Sequence, residues 1–191
     1  MRISIFGHSY VRDLQRLGHD TLTINGITAH LNFFAYPGFG FKDFLSNHRL
    51  FDNLIQGKPN IVVVLLGGND IKVHVEVSSV KSDCEKFYRL LREKLPNVFI
   101  IASQIEFRHN PTVNRHGTPS ADVYRRLAIS FNKWLSRQPF KDKILLVNGE
   151  NKLSDKRYFR EDGVHLNIEG LKLFLSLISS CLSNTSLFAN E

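Results

Sequence analysis

Cysteine is scarce: Cys84 and Cys181 are the only two in 191 residues. Both fall on apolar faces of helix-like stretches, so buried free thiols are expected and not a disulfide scaffold. That usage fits a reducing compartment. Long hydrophobic runs are missing. The longest uninterrupted one is Ile61 to Leu66, far short of the roughly 20 residues that span a bilayer. No secretory leader is recognisable, because the residues between Met1 and Gly7 read as a strand. An intracellular setting is therefore expected. There is no internal repeat, no low-complexity segment and no linker rich in Pro, Gly or Ser. One domain over 1–183 is expected, followed by a flexible tail over 184–191. That length allows a substantial core.

Charge of one sign is in excess. Lys and Arg number 25 against 18 Asp and Glu, a formal charge of +7 with a pI near 9.5. Such a balance favours polyanionic partners such as nucleic acid, anionic membrane surface or acidic glycan. The basic residues are densest in the second half, from Arg108 to Arg160, but no zinc-finger spacing and no basic tail accompany them. Weak polyanion or nucleic-acid binding is one expectation. A solvated surface with no partner is the plainer one.

Short β-branched runs alternate with helical periodicity along the chain. Arg2 to Phe6 reads as a strand and Val11 to Leu17 as a helix. Two strand-like runs around Asn25-Gly26 carry a strong hairpin signal. Ile61 to Leu66, Val98 to Ala102 and Ile144 to Val147 read as further strands, and the continuous apolar character of the first predicts cover on both faces. Helical spacing marks Val80 to Leu95, Val123 to Leu135 and Asn167 to Leu182. The pattern is βα repeated five times, with an added antiparallel strand near 21–24. It predicts an α/β fold with a parallel sheet between helix layers.

Ligands of such sheets bind beyond the carboxyl ends of the strands. Four turns lie there. The first is Gly7-His8-Ser9-Tyr10, where Ser9 meets the start of a helix. Its hydroxyl is placed as a nucleophile, next to backbone N–H groups that could meet an oxyanion. The second contains Gly38, which lacks a side chain to block approach to its N–H. The third carries Asn69, with a carboxamide donor. The fourth, Asp162 to His165, supplies an imidazole base and a carboxylate to hold it. Each has a plainer structural reading: Ser9 as a helix cap, Gly38 as a turn, Asn69-Asp70 as a cap and His165 as a surface residue. Their common position after strands favours the joint reading. His8, Asp70 and His74 match no firm metal-ligand spacing. The long connection Gln104 to Ser120 leaves the same sheet edge and could shape access.

These blocks resemble the SGNH hydrolases, also called GDSL-type esterases and lipases. The likeness rests on Gly7-His8-Ser9-Tyr10, Pro37-Gly38-Phe39-Gly40, Gly67-Gly68-Asn69-Asp70 and Asp162-Gly163-Val164-His165. It implies a three-layer α/β/α sandwich with a five-stranded parallel sheet in the flavodoxin-like order 2-1-3-4-5. It also implies Ser9, His165 and Asp162 as a catalytic triad, with the Ser9 and Gly38 N–H groups and Asn69 as the oxyanion hole. Neither cofactor nor metal is implied. The implied substrate is an acyl ester of a small molecule, glycan or lipid. His8 stands where the family usually has Asp. A neutral imidazole donates one hydrogen bond and accepts one, whereas a carboxylate only accepts. His8 is expected to support the turn by bonding Asp70, with Gly40 as a further supporting position. The alternative is a non-catalytic binding module of the same fold, in the manner of SGNH-type domains of retrotransposon proteins, where a basic surface would suit nucleic acid.

Overall fold

The computed structural model describes residues 1–109, 117–148 and 153–188. Six strands form one sheet in the order β2-β3-β1-β4-β5-β6. They are β1 (Arg2–Gly7), β2 (Thr21–Ile24), β3 (Ile27–Ala35), β4 (Ile61–Leu65), β5 (Phe99–Ser103) and β6 (Lys143–Leu145). Pairing is parallel throughout except at one edge, where β2 runs antiparallel to β3. The five parallel strands thus follow the flavodoxin-like order, and the extra hairpin strand is present. Asn25 and Gly26 both take positive φ, 48° and 81°. That is the backbone of a tight hairpin turn matched to strand twist.

Side-chain alternation along the central strands feeds two cores. Phe6, Val62, Val64, Ile100 and Ala102 face one side and pack with α2 (Phe41–Ser46), α3 (Asp52–Gln56), α4 (Val77–Lys94) and α5 (Ala121–Leu135). Ile3, Ile5, Ile61, Val63 and Ile101 face the other, under α1 (Ser9–Gln15) and α6 (Ile168–Ser183). Both faces of β4 are covered, which explains its unbroken apolar run. Phenylalanines dominate the first core: the Phe6 ring lies 4.7 Å from that of Phe44 and 5.8 Å from that of Phe51. Each fully buried ring contributes roughly 1.5–3 kcal/mol of apolar transfer.

The end of the chain differs from expectation. Thr185 and Phe188 are buried, and Asn25 Nδ2 donates to the carbonyls of Ser183 and Phe188 at 3.1 and 2.9 Å. A polar stretch hides one aromatic residue that completes the core beneath α6, so 184–188 is docked rather than free. Residues 189–191 lie outside the described set. Cys84 and Cys181 are both free thiols, the first buried and the second half-buried. No helix among the described residues is long and apolar enough to cross a membrane.

Candidate active site

The carboxyl ends of β1, β3 and β4 build the hollow. At the end of β1, Gly7 has φ 151°, and a Cβ there would lie 2.0 Å from the Leu65 carbonyl oxygen. Only glycine lets the two strands approach this closely. His8 N–H then donates to that same carbonyl at 3.1 Å. His8 is the N-cap of α1, with Nδ1 accepting from the Tyr10 N–H at 3.4 Å. Ser9 therefore does not cap the helix. Its hydroxyl is left for another partner.

That partner is His165. Ser9 Oγ and His165 Nε2 are 3.2 Å apart, and His165 Nδ1 lies 2.8 Å from Asp162 Oδ2. With the imidazole neutral, Nδ1–H donates to the carboxylate and Nε2 accepts from the serine hydroxyl. The other oxygen, Asp162 Oδ1, accepts from the Val164 and His165 N–H groups, each at 2.8 Å. Burial works against ionisation of Asp162, but these hydrogen bonds outweigh it and hold the carboxyl below its ordinary value. Tyr10 Oη donates to the Val164 carbonyl, tying α1 to the histidine loop.

Asn69 sits across the hollow. Its Nδ2 donates to the Phe39 carbonyl at 3.0 Å, and its Oδ1 accepts from Arg108 Nη2 at 3.1 Å. The carboxamide is thereby oriented at both ends, and one N–H remains for the hollow. Gly38 takes φ 85° in the turn that lines the same space. The hollow encloses about 290 Å³ and is lined by Ser9, Gly38, Asn69 and His165 together with His8 and Glu106.

The expected contact between His8 and Asp70 is not formed. Asp70 Oδ1 instead accepts from the Phe41 N–H at 2.9 Å, capping the start of α2. Gly40 supports it by absence: a Cβ there would lie 2.2 Å from Asp70 Oδ1. Among the described residues Asp70 Oδ2 has no hydrogen-bond partner, and burial pushes the carboxyl up to about 7. Burial first, then the charges of Arg108 and His165, lower His8 to about 3, so its ring is neutral. Among the described residues no three His, Cys, Asp or Glu side chains gather as a metal site.

Glu106 and Arg108 line the hollow from outside the four motif blocks, as do Arg12 and Tyr124. Glu106 is buried, its Oε1 has no hydrogen-bond partner among the described residues, and burial raises it to about 7. Arg108 lies over the Tyr124 ring, 4.7 Å from its centroid, and Tyr124 Oη donates to the Gly68 carbonyl at 3.2 Å. Glu106 and Arg108 come from the long connection after β5, whose segment 110–116 lies outside the described residues. The signal available was Glu106 itself, a lone carboxylate inside the apolar string Ile105-Glu106-Phe107.

A parallel α/β/α sandwich with a serine, an imidazole and a carboxylate in series at the strand ends defines a hydrolase-like architecture. The model of the GDSL-like Lipase/Acylhydrolase family matches residues 6–173, and the chain belongs to that family. Similar folds include a lipase/acylhydrolase from Enterococcus faecalis, with a TM-score of 0.65 at 16% identity over 95% of each chain. A carbohydrate esterase family 3 protein from Talaromyces cellulolyticus gives 0.63 at 18% identity, covering 95% of this chain and 96% of that one. A GDSL-like lipase from Bacteroides thetaiotaomicron gives 0.64 at 18%, covering 94% and 86%. A search of curated proteins returns no match.

Proposed function

We propose that the chain is a serine esterase acting on a short acyl ester. The observation that carries this reading is the unbroken series Ser9 Oγ, His165 Nε2, His165 Nδ1 and Asp162 Oδ2, with spacings of 3.2 and 2.8 Å. Ser9 Oγ attacks the ester carbonyl carbon while its proton passes to His165 Nε2. Asp162 holds the tautomer and stabilises the imidazolium. The tetrahedral oxyanion takes hydrogen bonds from the Ser9 N–H, the Gly38 N–H and the remaining Asn69 Nδ2–H. The bond to the leaving alcohol then breaks, and His165 returns the proton to that oxygen. Water, deprotonated by His165, attacks the acyl-enzyme and releases the acid.

The hollow supports a short acyl group. Its volume is about 290 Å³, and Glu106, Arg108 and His8 put polar atoms where a long alkyl chain would need apolar walls. Family membership supports ester hydrolysis as the reaction class. The decisive measurement is labelling by a fluorophosphonate with mass mapping, run on the parent and on Ser9→Ala. An adduct on Ser9 and loss of esterase activity in the variant are expected. Folded parent that takes no label would favour a binding module without chemistry.

A further inference from the structure

The hollow carries charge that the triad does not use. Arg108 is half-buried, and Asn69 Oδ1 is a neutral acceptor for its Nη2. Among the described residues no carboxylate lies within ion-pairing distance of its guanidinium. A half-buried guanidinium with only neutral partners is available to an anion. Arg108 and His8 both line the hollow that holds Ser9. They converge beside Gly68, where a Cβ would lie 3.2 Å from Tyr124 Oη, 3.4 Å from Arg108 Nη2 and 3.7 Å from His8 Nε2, so the room for an anion is in the hollow and not at the glycine itself. His8 Nδ1 is occupied as an acceptor by the Tyr10 N–H, so in the neutral ring the hydrogen is on Nε2. Arg108 and His8 therefore hold N–H groups around one small space next to Ser9.

The cationic character continues past Asn69. A second recess of about 290 Å³ is lined by Gly38, Asn69, Lys72 and Arg108. Lys72 is exposed and, among the described residues, forms no ion pair. Glu106 is the one carboxyl lining the first hollow among the described residues. Its burial, with Oε1 lacking a partner among the described residues, resists ionisation and limits its opposition to a second negative group.

We propose that the site selects esters that also carry a carboxylate, received by Arg108 and His8. This rests on the esterase reading above and adds the charge of the substrate to it. The carboxylate could belong to the acyl group, reaching into the first hollow, or to the alcohol, reaching the recess with Lys72. The two sources separate in the test.

The full chain would be assayed for kcat/KM on three esters: phenyl acetate, the phenyl monoester of succinic acid, and the acetate ester of 3-hydroxybenzoic acid. Each anionic ester is paired with its methyl-capped neutral form. A preference of tenfold or more for one anionic ester over its capped partner is expected, on the scale of one charge-assisted hydrogen bond. Arg108→Met should bring that ratio to about one, Arg108→Lys should keep part of it, and Glu106→Gln should raise it. A ratio near one in the parent overturns the proposal. So does a loss in Arg108→Met that falls equally on charged and neutral esters, which would leave Arg108 only orienting Asn69. If no ester is turned over and Ser9 takes no fluorophosphonate, the esterase reading fails separately. Calorimetric titration with monophenyl succinate then decides the anion site: binding lost in Arg108→Met supports it, and no binding to the parent overturns it.

Discussion

Ser9 Oγ lies 3.2 Å from His165 Nε2 although 156 positions separate the two residues. The sheet brings them together. Ser9 opens α1 directly after the central strand β1, and His165 precedes α6, which packs on the same face of the sheet as α1. Tyr10 fixes the distance by bonding the carbonyl of Val164.

The relay makes Asp162→Asn informative. Asp162 Oδ1 serves the backbone N–H groups of Val164 and His165, and an Asn oxygen can keep both. The amide nitrogen would then face His165 Nδ1 and force the hydrogen onto Nε2. Ser9 would lose its acceptor. Turnover should fall on the order of 10⁴-fold, with the thermal midpoint shifted by only a few degrees. Turnover within tenfold of the parent would remove Asp162 from the relay.

Asn69→Ala removes the side-chain donor and frees the Arg108 bond together. Loss of one preorganised oxyanion donor costs about 10²–10³ in kcat. KM should change much less, because the contact tightens in the transition state. A change confined to KM would place Asn69 in ground-state binding instead.

Much of this site is legible in the chain because its parts are local. Gly7-His8-Ser9 and Asp162 to His165 are short segments whose proposed roles rest on turn geometry and side-chain chemistry. The hairpin at Asn25-Gly26 and the apolar run of β4 are read from periodicity for the same reason. Contacts between segments were harder. His8 was expected to reach Asp70, but its Nδ1 is taken by the helix it caps, and Asp70 is taken by Phe41. Arg108 is one of many basic residues in the second half of the sequence, and nothing local shows that it meets Asn69. Phe188 sits in a polar stretch, and its burial depends on a partner, Asn25, at the far end of the sequence.

Asp70→Asn tests the buried carboxyl at the start of α2. Its folded value is raised to about 7. Relative to an unshifted carboxyl, the fold keeps its full stability below about pH 4 and loses it as pH rises through 7. Asn can still accept from the Phe41 N–H through its oxygen, without a charge. The variant should gain on the parent by roughly 2–3 kcal/mol between pH 5 and pH 8. Urea denaturation at both values measures this, and a constant difference between the two proteins would contradict it.

His8→Asn tests the opposite sign. His8 is neutral in the fold, lowered to about 3 by burial and then by the charges of Arg108 and His165. The unfolded chain takes up a proton near the ordinary histidine value that the fold refuses. Stability on this account is complete above about pH 6.5 and falls as pH drops toward 3. Asn is a good N-cap and can accept from the Tyr10 N–H, yet it does not titrate. Asp70 and Glu106 are present in both proteins, so their opposing contribution cancels in the comparison. From pH 7 to pH 4.5 the parent should lose roughly 2–3 kcal/mol more than His8→Asn. Parallel losses would mean that the ring is already solvated in the fold, and the N–H that it is argued to present to the hollow would not be held there.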